Sequence, residues 1–320
     1  MRRCTSLMVL VMVAFAGAAM ADSFGFNSNA YNYAVLYEGG GTGHQLSLTS
    51  DSGITGNVGI GGTGLAALAS GTITGNLDFA NTGNCGPKVA PAGSICGGTV
   101  TGAVTVLNSA VSSALTNINS TSVTLGAEGG TALNVSSGNH TLNLNNGTLD
   151  GAPITLKLDA NGNYVFDLSG TGGLNAGNSD TFTIIGNGSH GVIFNYGSTT
   201  TFNINEGVTL SGGITSDQVL FNLFAGTGLT GGPNIQGNTG CCGGLNRDIS
   251  GIFLDPNGSI NFNSINIFGR VWGGDSANMQ IVSNAFVTSP PVPPVQEPAS
   301  LALFGTGLAG IAGVLRRKRK

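Results

Sequence analysis

The alternation of hydrophobic and polar positions predicts a body built from short β-strands. Apolar residues recur at every second position in many short runs, which is the period that buries one face of a strand. Asn-Gly pairs at residues 146–147 and 161–162 are turn signals between such runs. The runs are Val123/Leu125, Leu133/Val135, Leu142/Leu144, Ile154/Leu156/Leu158, Tyr164/Phe166/Leu168, Phe182/Ile184, Phe202/Ile204, Val208/Leu210, Val219/Phe221/Leu223, Ile260/Phe262 and Ile265/Ile267. We therefore predict an all-β fold class.

A repeated phrase indicates how these strands are arranged. Ile54-Thr-Gly-Asn-Val58 recurs 19 residues later as Ile73-Thr-Gly-Asn-Leu77, and a looser copy follows as Val100-Thr-Gly-Ala-Val104. Nineteen residues is about the length of one coil of a solenoid, in which equivalent residues stack on one another. The shared glycine suits a corner, because glycine adopts positive φ without steric cost. We predict a β-solenoid similar to a right-handed β-helix, with a sandwich of similar hairpins as the alternative.

One segment has helical rather than strand periodicity. Between residues 104 and 118 the apolar residues are spaced by three and four, which places them on one helical face. They are Val104, Leu107, Val111, Leu115 and Ile118. A helix this short needs tertiary packing, so we predict that it lies against the side of the β body. An exposed partner-binding helix is the alternative.

The N-terminus reads as a signal peptide covering residues 1–21. Arg2 and Arg3 precede an apolar segment, and Ala19-Met20-Ala21 supplies the small residues at which a signal peptidase cuts. The mature chain would then begin at Asp22, and an uncleaved membrane anchor is the alternative.

The C-terminus reads as a membrane-directed tail. The predicted β-rich body covers residues 22–288. A stiff spacer at residues 289–295 follows it and contains Pro290 to Pro294. An apolar stretch, residues 299–315, is predicted to cross the membrane as a helix, and the basic end after it favours the cytoplasmic side. That end is Arg316, Arg317, Lys318, Arg319 and Lys320.

The order of this tail resembles the PEP-CTERM sorting signal of Gram-negative bacteria. The motif residues are Gln296, Glu297, Pro298, Ala299 and Ser300, and the family usually has proline where this chain has Gln296. The resemblance implies that an exosortase-type membrane peptidase cleaves near Glu297-Pro298. The protein would be exported across the inner membrane, anchored there transiently, and delivered to the cell surface or the exopolysaccharide matrix.

The body resembles, more weakly, the choice-of-anchor A or adhesive domain of secreted bacterial proteins. The matching phrases are Gly56-Asn-Val-Gly-Ile-Gly-Gly62 and Phe268-Gly-Arg-Val-Trp-Gly-Gly-Asp275, within residues 26–285. This resemblance implies an adhesive or matrix role. A related architecture, a β-helix with one helix alongside, occurs in ice-binding proteins.

Composition excludes one class of partner. Only 8% of the residues are charged, and 55 are glycine. Without its two ends the chain keeps 4 Lys and Arg against 14 Asp and Glu, a formal net charge of −10. Nucleic-acid binding depends on clustered cations, so we predict no nucleic-acid partner.

The cysteines and histidines favour disulfides over a metal site. Cys85 and Cys96 flank a Gly/Pro-rich loop and are predicted to pair in an oxidising compartment, whereas the pairing of Cys241 and Cys242 stays open. His44, His140 and His190 are scattered, and the sequence has no Cys-x-x-Cys pair. We therefore predict no metal and no cofactor.

Two motifs with possible chemistry have simpler interpretations. Asp159-Ala-Asn-Gly-Asn163 is similar to a calcium loop but lacks its glycine spacing and closing glutamate, so a hairpin turn is favoured. Gly274-Asp275-Ser276 resembles the nucleophile block of an esterase family, yet no histidine follows it. We predict no catalytic residues and no enzyme activity.

The predicted function is therefore non-catalytic adhesion or structural support at the cell surface, with polysaccharide as a candidate partner. An ice-binding or water-structuring solenoid is the alternative, suggested by threonine-rich phrases such as Thr199-Thr-Thr201. The sequence shows no regular Thr-x-Thr ladder to support that alternative. A secreted hydrolase is third, and would require a pocket that converges on one of the three histidines.

Overall fold

The protein is described here by a computed structural model. It covers residues 24–291 apart from 42, 50, 84, 86–95, 136–137, 169–172, 175–179, 206, 227–233, 239–246 and 276–277. Within these residues, no helix combines the length and the apolar character that crossing a membrane requires. The predicted signal peptide, sorting segment, basic end and the Cys241–Cys242 pair all lie outside the described residues.

The regular elements of the described chain are short strands, two helices and one 3₁₀ turn. In chain order the elements are α1 (Ser28–Tyr31), β1 (Tyr33–Tyr37), β2 (Gln45–Leu48), β3 (Gly53–Thr55), β4 (Asn57–Ile60), β5 (Leu65–Ala67), β6 (Thr72–Thr74), β7 (Leu77–Phe79), β8 (Thr99–Val100), β9 (Val104–Thr105), α2 (Ser109–Gly126), β10 (Thr131–Leu133), β11 (His140–Asn143), β12 (Thr148–Leu149), β13 (Ala152–Pro153), β14 (Tyr164–Leu168), β15 (Gly173–Leu174), β16 (Thr181–Ile185), β17 (Val192–Tyr196), β18 (Phe202–Ile204), β19 (Gly207–Ser211), the 3₁₀ turn (Ser216–Gln218), β20 (Val219–Leu223), β21 (Asn234–Asn238), β22 (Arg247–Asp255), β23 (Ser259–Asn263), β24 (Ile265–Gly273), β25 (Met279–Val282) and β26 (Phe286–Thr288).

The strands form a parallel β-solenoid, which confirms the predicted fold class. A 19-stranded sheet supplies two faces and a seven-stranded sheet supplies the third. Strands of one coil pair in parallel with strands of the next, as β14 does with β17 and β17 with β20. The pairs β11–β12 and β12–β13 are antiparallel and form a small extension beside β11.

The repeated phrases occupy equivalent places in successive coils, as the sequence predicted. Ile54 is paired with Ile73 and Thr55 with Thr74, while Val58 is paired with Leu77. Gly56 and Gly75 turn the chain between the two strands of each copy, with φ of +128° and +155°. A Cβ on Gly75 would lie 2.4 Å from the carbonyl oxygen of Gly56, so the stacked corners need glycine for space as well as for conformation.

The order of the coils differs from the order of the chain. Strand β1 lies in the middle of the stack, paired with β4 on one side and with β24 on the other. The chain builds coils outward to β9, and α2 then carries it back along the side of the solenoid toward β10. From β10 the later coils build back until β24 reaches β1. An 18-residue helix spans about 27 Å, the length of several coils.

Helix α2 starts later and ends later than the sequence predicted. It begins at Ser109, where the Asn108 side chain accepts a hydrogen bond from the Ala110 amide, and it ends at Gly126 rather than residue 118. Val104 belongs to strand β9, and Leu107 is 68% exposed. The predicted strand Val123/Leu125 is wrong, because both residues belong to this helix.

The buried face of α2 continues through a polar residue, Ser122. This explains why the hydrophobic pattern predicted that the helix ends too early. Ser122 Oγ donates to Asn222 Oδ1 (2.5 Å), and Asn222 Nδ2 donates to the Ser122 carbonyl (3.0 Å) and to Asn195 Oδ1 (2.9 Å). Asn195 Nδ2 in turn donates to the Leu125 carbonyl (2.8 Å). These three fully or almost fully buried side chains fix the helix to strands β17 and β20.

Two residues of the Phe268–Asp275 phrase, Arg270 and Trp272, have structural roles. Buried Arg270 contacts Asp217 through Nε (3.0 Å) and donates to the Tyr31 carbonyl through Nη1 (2.7 Å). Trp272 Nε1 donates to the Tyr33 carbonyl (3.2 Å). Arg270 thus attaches the end of α1 to β24, and Trp272 attaches β1 by this bond and contacts the rings of Phe26 and Tyr31.

The loop between Cys85 and Cys96 is closed by a disulfide, with the two sulfurs 2.03 Å apart. Cys85 lies beside Ala66 in an isolated parallel bridge, and the Cys96 carbonyl accepts a hydrogen bond from the Leu68 amide. The disulfide therefore joins the two ends of the loop, and these backbone contacts hold them beside β5 and the residue that follows it.

We predict that Asn222→Ala lowers the free energy of unfolding by about 2 kcal/mol, because it leaves buried groups of Ser122 and Asn195 without a partner. Urea unfolding measures the change. The matched control is Asn145→Ala at an exposed position, which is expected to stay within about 0.5 kcal/mol of wild type. Equal stability of both variants would contradict the role assigned to the buried amides.

Candidate functional site

One face of the 19-stranded sheet carries an ordered array of threonines, which we call the threonine face. It is the outer side of nine neighbouring strands: β11, β16, β19, β22, β24, β26, β3, β6 and β8. One outward column runs Thr141, Thr183, Thr209, Ser250, Phe268, Thr288, Thr55 and Thr74. The column beside it runs Thr181, Gly207, Asp248, Asn266, Phe286, Gly53, Thr72 and Thr99.

The strand geometry makes this array regular in two directions. Adjacent parallel strands lie about 4.8 Å apart, and residues two positions apart on one strand are separated by roughly 6.6 Å. Thr72 and Thr74 on β6, and Thr181 and Thr183 on β16, fill both columns of their strands. Nine strands extend the face over about 38 Å. Hydroxyl and methyl groups therefore repeat along the first column, and on β6 and β16 they also repeat across both columns.

The array is accessible and rigid. The side chains of Thr55, Thr74, Thr209 and Thr288 are exposed, and those of Thr181 and Thr183 are half-buried. The alternate residues of the same strands point inward and are fully or almost fully buried; they include Ile54, Ile73, Ile249, Ile267 and Val287. Because the backbone is held by pairing on both sides and threonine is stiff at χ1, the hydroxyl positions are set before any ligand arrives.

The sequence has no regular Thr-x-Thr ladder, and of the nine strands of this face β6 and β16 carry threonine in both columns. The first column is assembled between coils rather than along the sequence, and the coils differ in length. Thr288 lies beside Thr55 because β26 pairs with β3, although these residues come from opposite ends of the body. Local motifs such as Thr72-Ile-Thr74 and Thr181-Phe-Thr183 were the signal in the sequence that could have indicated this face.

Two aromatic side chains interrupt the threonine face near its centre. Phe268 and Phe286 are 43% and 42% exposed, and they lie on the paired strands β24 and β26. Beside them Asn266 Nδ2 donates to Asp248 Oδ1 (2.9 Å). The centre of the face thus differs chemically from its threonine-rich flanks.

The other two faces have different chemistry. Helix α2 and the α1 segment cover the outer side of one face, where Ile193, Leu220 and Trp272 are fully buried. The seven-stranded sheet presents an in-register column of amides and one hydroxyl on its outer side. This column runs Asn203, Gln236, Asn261, Gln280 and Ser47.

The three histidines lie at separate places. His140 Nδ1 is 2.7 Å from Asp150 Oδ2, and His190 Nδ1 is 2.7 Å from the Gly162 carbonyl oxygen. His44 lies near Asp275. Partial burial raises the pKa of the Asp275 carboxyl above its ordinary value, and the charge of His44 opposes this rise. Partial burial also acts to raise the pKa of Asp150, but its hydrogen bonds with His140 and the Thr141 amide bring it below its ordinary value.

His190 borders a shallow pocket of about 250 Å³, which is also lined by Leu144, Asn145, Tyr164, Gly186 and Asn187. No carboxylate or serine belongs to that lining. Among the described residues, no group of three histidine, cysteine or acidic side chains is arranged to hold a metal ion.

The Asp159–Asn163 segment forms a turn, but the predicted strand Ile154/Leu156/Leu158 before it is wrong, because only Leu158 forms a bridge. Asp159 Oδ1 accepts from the amides of Asn161 (2.8 Å) and Asn163 (2.7 Å), and its other oxygen accepts from Asn163 Nδ2 (2.7 Å). Leu158 and Tyr164 then form an antiparallel bridge. Both carboxylate oxygens are thus engaged within the turn itself. In the esterase-like phrase, Ser276 lies outside the described residues.

A family comparison identifies the C-terminal tail. The PEP-CTERM protein-sorting motif matches residues 294–319. The chain is therefore an exported protein that is processed by exosortase at the membrane, anchored there transiently, and released to the cell surface or extracellular space. No curated protein sequence matches the chain.

Solved structures similar to the body are ice-binding proteins. One, from an Antarctic biological consortium, is 16% identical, covers 82% of this chain and 90% of its own, and has a TM-score of 0.49. One from an Antarctic Flavobacteriaceae bacterium is 18% identical over 83% of this chain and 48% of its own, with a TM-score of 0.49. The ice-binding protein 1 domain of Shewanella frigidimarina is 15% identical over 82% and 96%, with a TM-score of 0.46. The family match covers residues 294–319, so the resemblance of the body to choice-of-anchor A proteins stays a prediction.

A buried carboxyl predicts how stability depends on pH. Burial raises the pKa of Glu38 to about 8, the charge of Asp275 acts in the same direction, and a hydrogen bond with Asn119 on α2 opposes it. The folded-state pKa lies above the ordinary value of 4.5. The contribution of Glu38 to folding stability is therefore present in full below pH 4.5. It is lost as the pH rises through about 8.

We therefore predict that Glu38→Gln reduces the loss of stability that the wild-type protein shows between about pH 5 and pH 8. Thermal unfolding across this range measures the effect. Asp51→Asn, at an exposed position, is the control and should keep the wild-type pH profile. A Glu38→Gln profile parallel to that of wild type would contradict the prediction.

Proposed function

We propose that the exported body is a non-catalytic binding protein whose threonine face binds ice. The observation that carries this proposal is the register that places Thr141, Thr183 and Thr209 in one column with Thr288, Thr55 and Thr74. A crystal surface offers the same groups repeatedly in two directions. The face repeats hydroxyls and methyls along its first column, and on β6 and β16 across both columns.

The physical advantage lies in the number and rigidity of the groups. A single threonine hydroxyl both donates and accepts hydrogen bonds, and liquid water satisfies it as well as ice does. Many hydroxyls held in a fixed array can instead contact one ordered layer of water together. The ordering cost of each side chain is low because its backbone and χ1 are already fixed.

The separated histidines support a non-catalytic role. His140 and His190 are held by Asp150 and by the Gly162 carbonyl, respectively, and neither contact places a nucleophile beside the ring. The pocket next to His190 has uncharged neighbours and the phenol of Tyr164. The hydrolase hypothesis therefore has less support than a binding role.

A second candidate function is adhesion to matrix polysaccharide. The exposed rings of Phe268 and Phe286 favour it, because a purely hydroxylic lattice would have no use for two aromatic side chains at its centre. Delivery to the cell surface places the body next to such polymers. Binding of matrix polysaccharide by the secreted protein tests this candidate.

We predict that Thr74→Tyr and Thr209→Tyr each remove most of the thermal hysteresis of the purified protein, since a projecting ring holds the ice surface away from its neighbours. Thr116→Tyr, at an exposed position on α2, is the matched control and should keep wild-type activity. Unchanged circular dichroism and melting temperature would show that each variant is folded. Full hysteresis in the Thr74 and Thr209 variants would contradict the assignment of the face.

We further propose how the chain is processed. Signal peptidase removes residues 1–21 after Ala19-Met20-Ala21, and the exosortase-type peptidase cleaves near Glu297-Pro298. Residues 299–315 would span the membrane before that cut, with Arg316 to Lys320 on the cytoplasmic side.

We predict that Glu297→Ala yields a longer, membrane-retained form in the native host, whereas wild type is released with a mass that ends near residue 297. Intact-mass analysis of membrane and culture fractions measures both forms. Gln296→Pro, which introduces the residue usual in the family, should be released at least as completely as wild type. Release of Glu297→Ala at the wild-type mass would contradict the assigned cleavage motif.

A further inference from the structure

The aromatic pair at the centre of the threonine face forms a platform with a defined shape. Phe286 projects from β26 and reaches over the neighbouring strand β3. A Cβ on Gly53 would lie 3.2 Å from both Cδ1 and Cε1 of the Phe286 ring. The missing side chain at Gly53 therefore lets the ring lie close to the sheet while 42% of the residue remains exposed.

Phe268 extends this platform on the next strand. In the β24–β26 pairing, Phe268 lies beside Thr288 and Phe286 lies beside Asn266, so the two phenylalanines are diagonal neighbours. From the spacings between and along strands, diagonal positions lie roughly 8 Å apart, within reach of aromatic side chains. The two rings thus offer adjoining apolar surfaces of a size suited to consecutive sugar rings.

Polar groups border the rings on the same outer surface. Ser250 lies beside Phe268 on one side and Thr288 on the other, and both carry hydroxyls. Asn266, beside Phe286, is positioned by its hydrogen bond to Asp248. Hydroxyl, amide and carboxylate groups around an apolar platform match a pyranose ring, which has C–H faces and a hydroxyl rim.

The charge of the site selects among polysaccharides. Asp248 is an exposed carboxylate next to the platform, and the sequence between the two processed ends has a formal net charge of −10. Both features repel a polymer that carries carboxylate or sulfate groups. A neutral chain meets no such repulsion.

We propose that Phe268 and Phe286 form a binding site for a neutral polysaccharide, with sugar rings stacked on the two phenylalanines. This inference rests on the adhesion function given above as the second candidate. It adds the site, the contact residues and the charge class of the polymer.

Neutral and acidic polysaccharide fractions, separated by anion exchange from the native host's own matrix, provide the probes. The secreted wild-type protein is expected to bind the neutral fraction and not the acidic one. Phe286→Ala and Phe268→Ala should each weaken binding roughly tenfold, and Phe286→Tyr should retain it. Gly53→Val should weaken it as well, because the new side chain lifts the Phe286 ring.

Val123→Ala is the matched control, since Val123 is 63% exposed on α2, outside the threonine face. Its affinity should equal that of wild type. Thr74→Tyr should keep polysaccharide binding even where it removes ice binding, which separates this site from the function proposed for the threonine flanks.

Three results would overturn the proposal. Wild-type binding that Phe268→Ala and Phe286→Ala leave intact would exclude this site while adhesion itself stands. A wild-type preference for the acidic fraction would exclude the neutral ligand. Failure of wild type to bind either fraction would exclude both the neutral ligand and adhesion. If Phe268→Ala and Phe286→Ala change the oligomeric state measured by light scattering but not the affinity for polysaccharide, the two rings form a self-association surface.

Discussion

The register between parallel coils is the constraint on which the rest of this structure depends. Once one coil is aligned with the next, each position along a strand becomes a column of equivalent side chains. Phe166, Phe194, Phe221 and Phe253 form such a column inside, with successive ring centroids 5.7, 5.0 and 5.0 Å apart. The same alignment forms the threonine column outside. Interior packing and the surface column are therefore two consequences of one register.

Helix α2 makes the continuous surface possible. By returning the chain along the solenoid, it lets the last coils be added beside the first ones, so that β24 pairs with β1 and β26 with β3. The bonds of Asn195 and Asn222 fix the axial position of this helix. A helix held only by apolar contacts could slide along the coils, whereas paired amides and carbonyls have one satisfied arrangement.

Much of the local structure could be predicted from the sequence, because strand alternation and the Ile-Thr-Gly-Asn repeat are local patterns. The end of α2 could not, since Ser122 occupies a buried position that hydrophobicity does not mark. The threonine face could not either. Its columns join residues such as Thr209 and Ser250, or Thr288 and Thr55, whose separations follow from coil length and from the return of the chain. Coil order is a property of long-range pairing and leaves no fixed spacing in the sequence.

A sorting motif sends the body to the cell surface, and the solenoid presents an ordered face there. The most direct measurement is to grow a single ice crystal in a solution of the fluorescently labelled wild-type protein. If the threonine face binds ice, the crystal becomes faceted and the label is concentrated on its surface. A rounded crystal that excludes the label at the same protein concentration would contradict ice binding by this face.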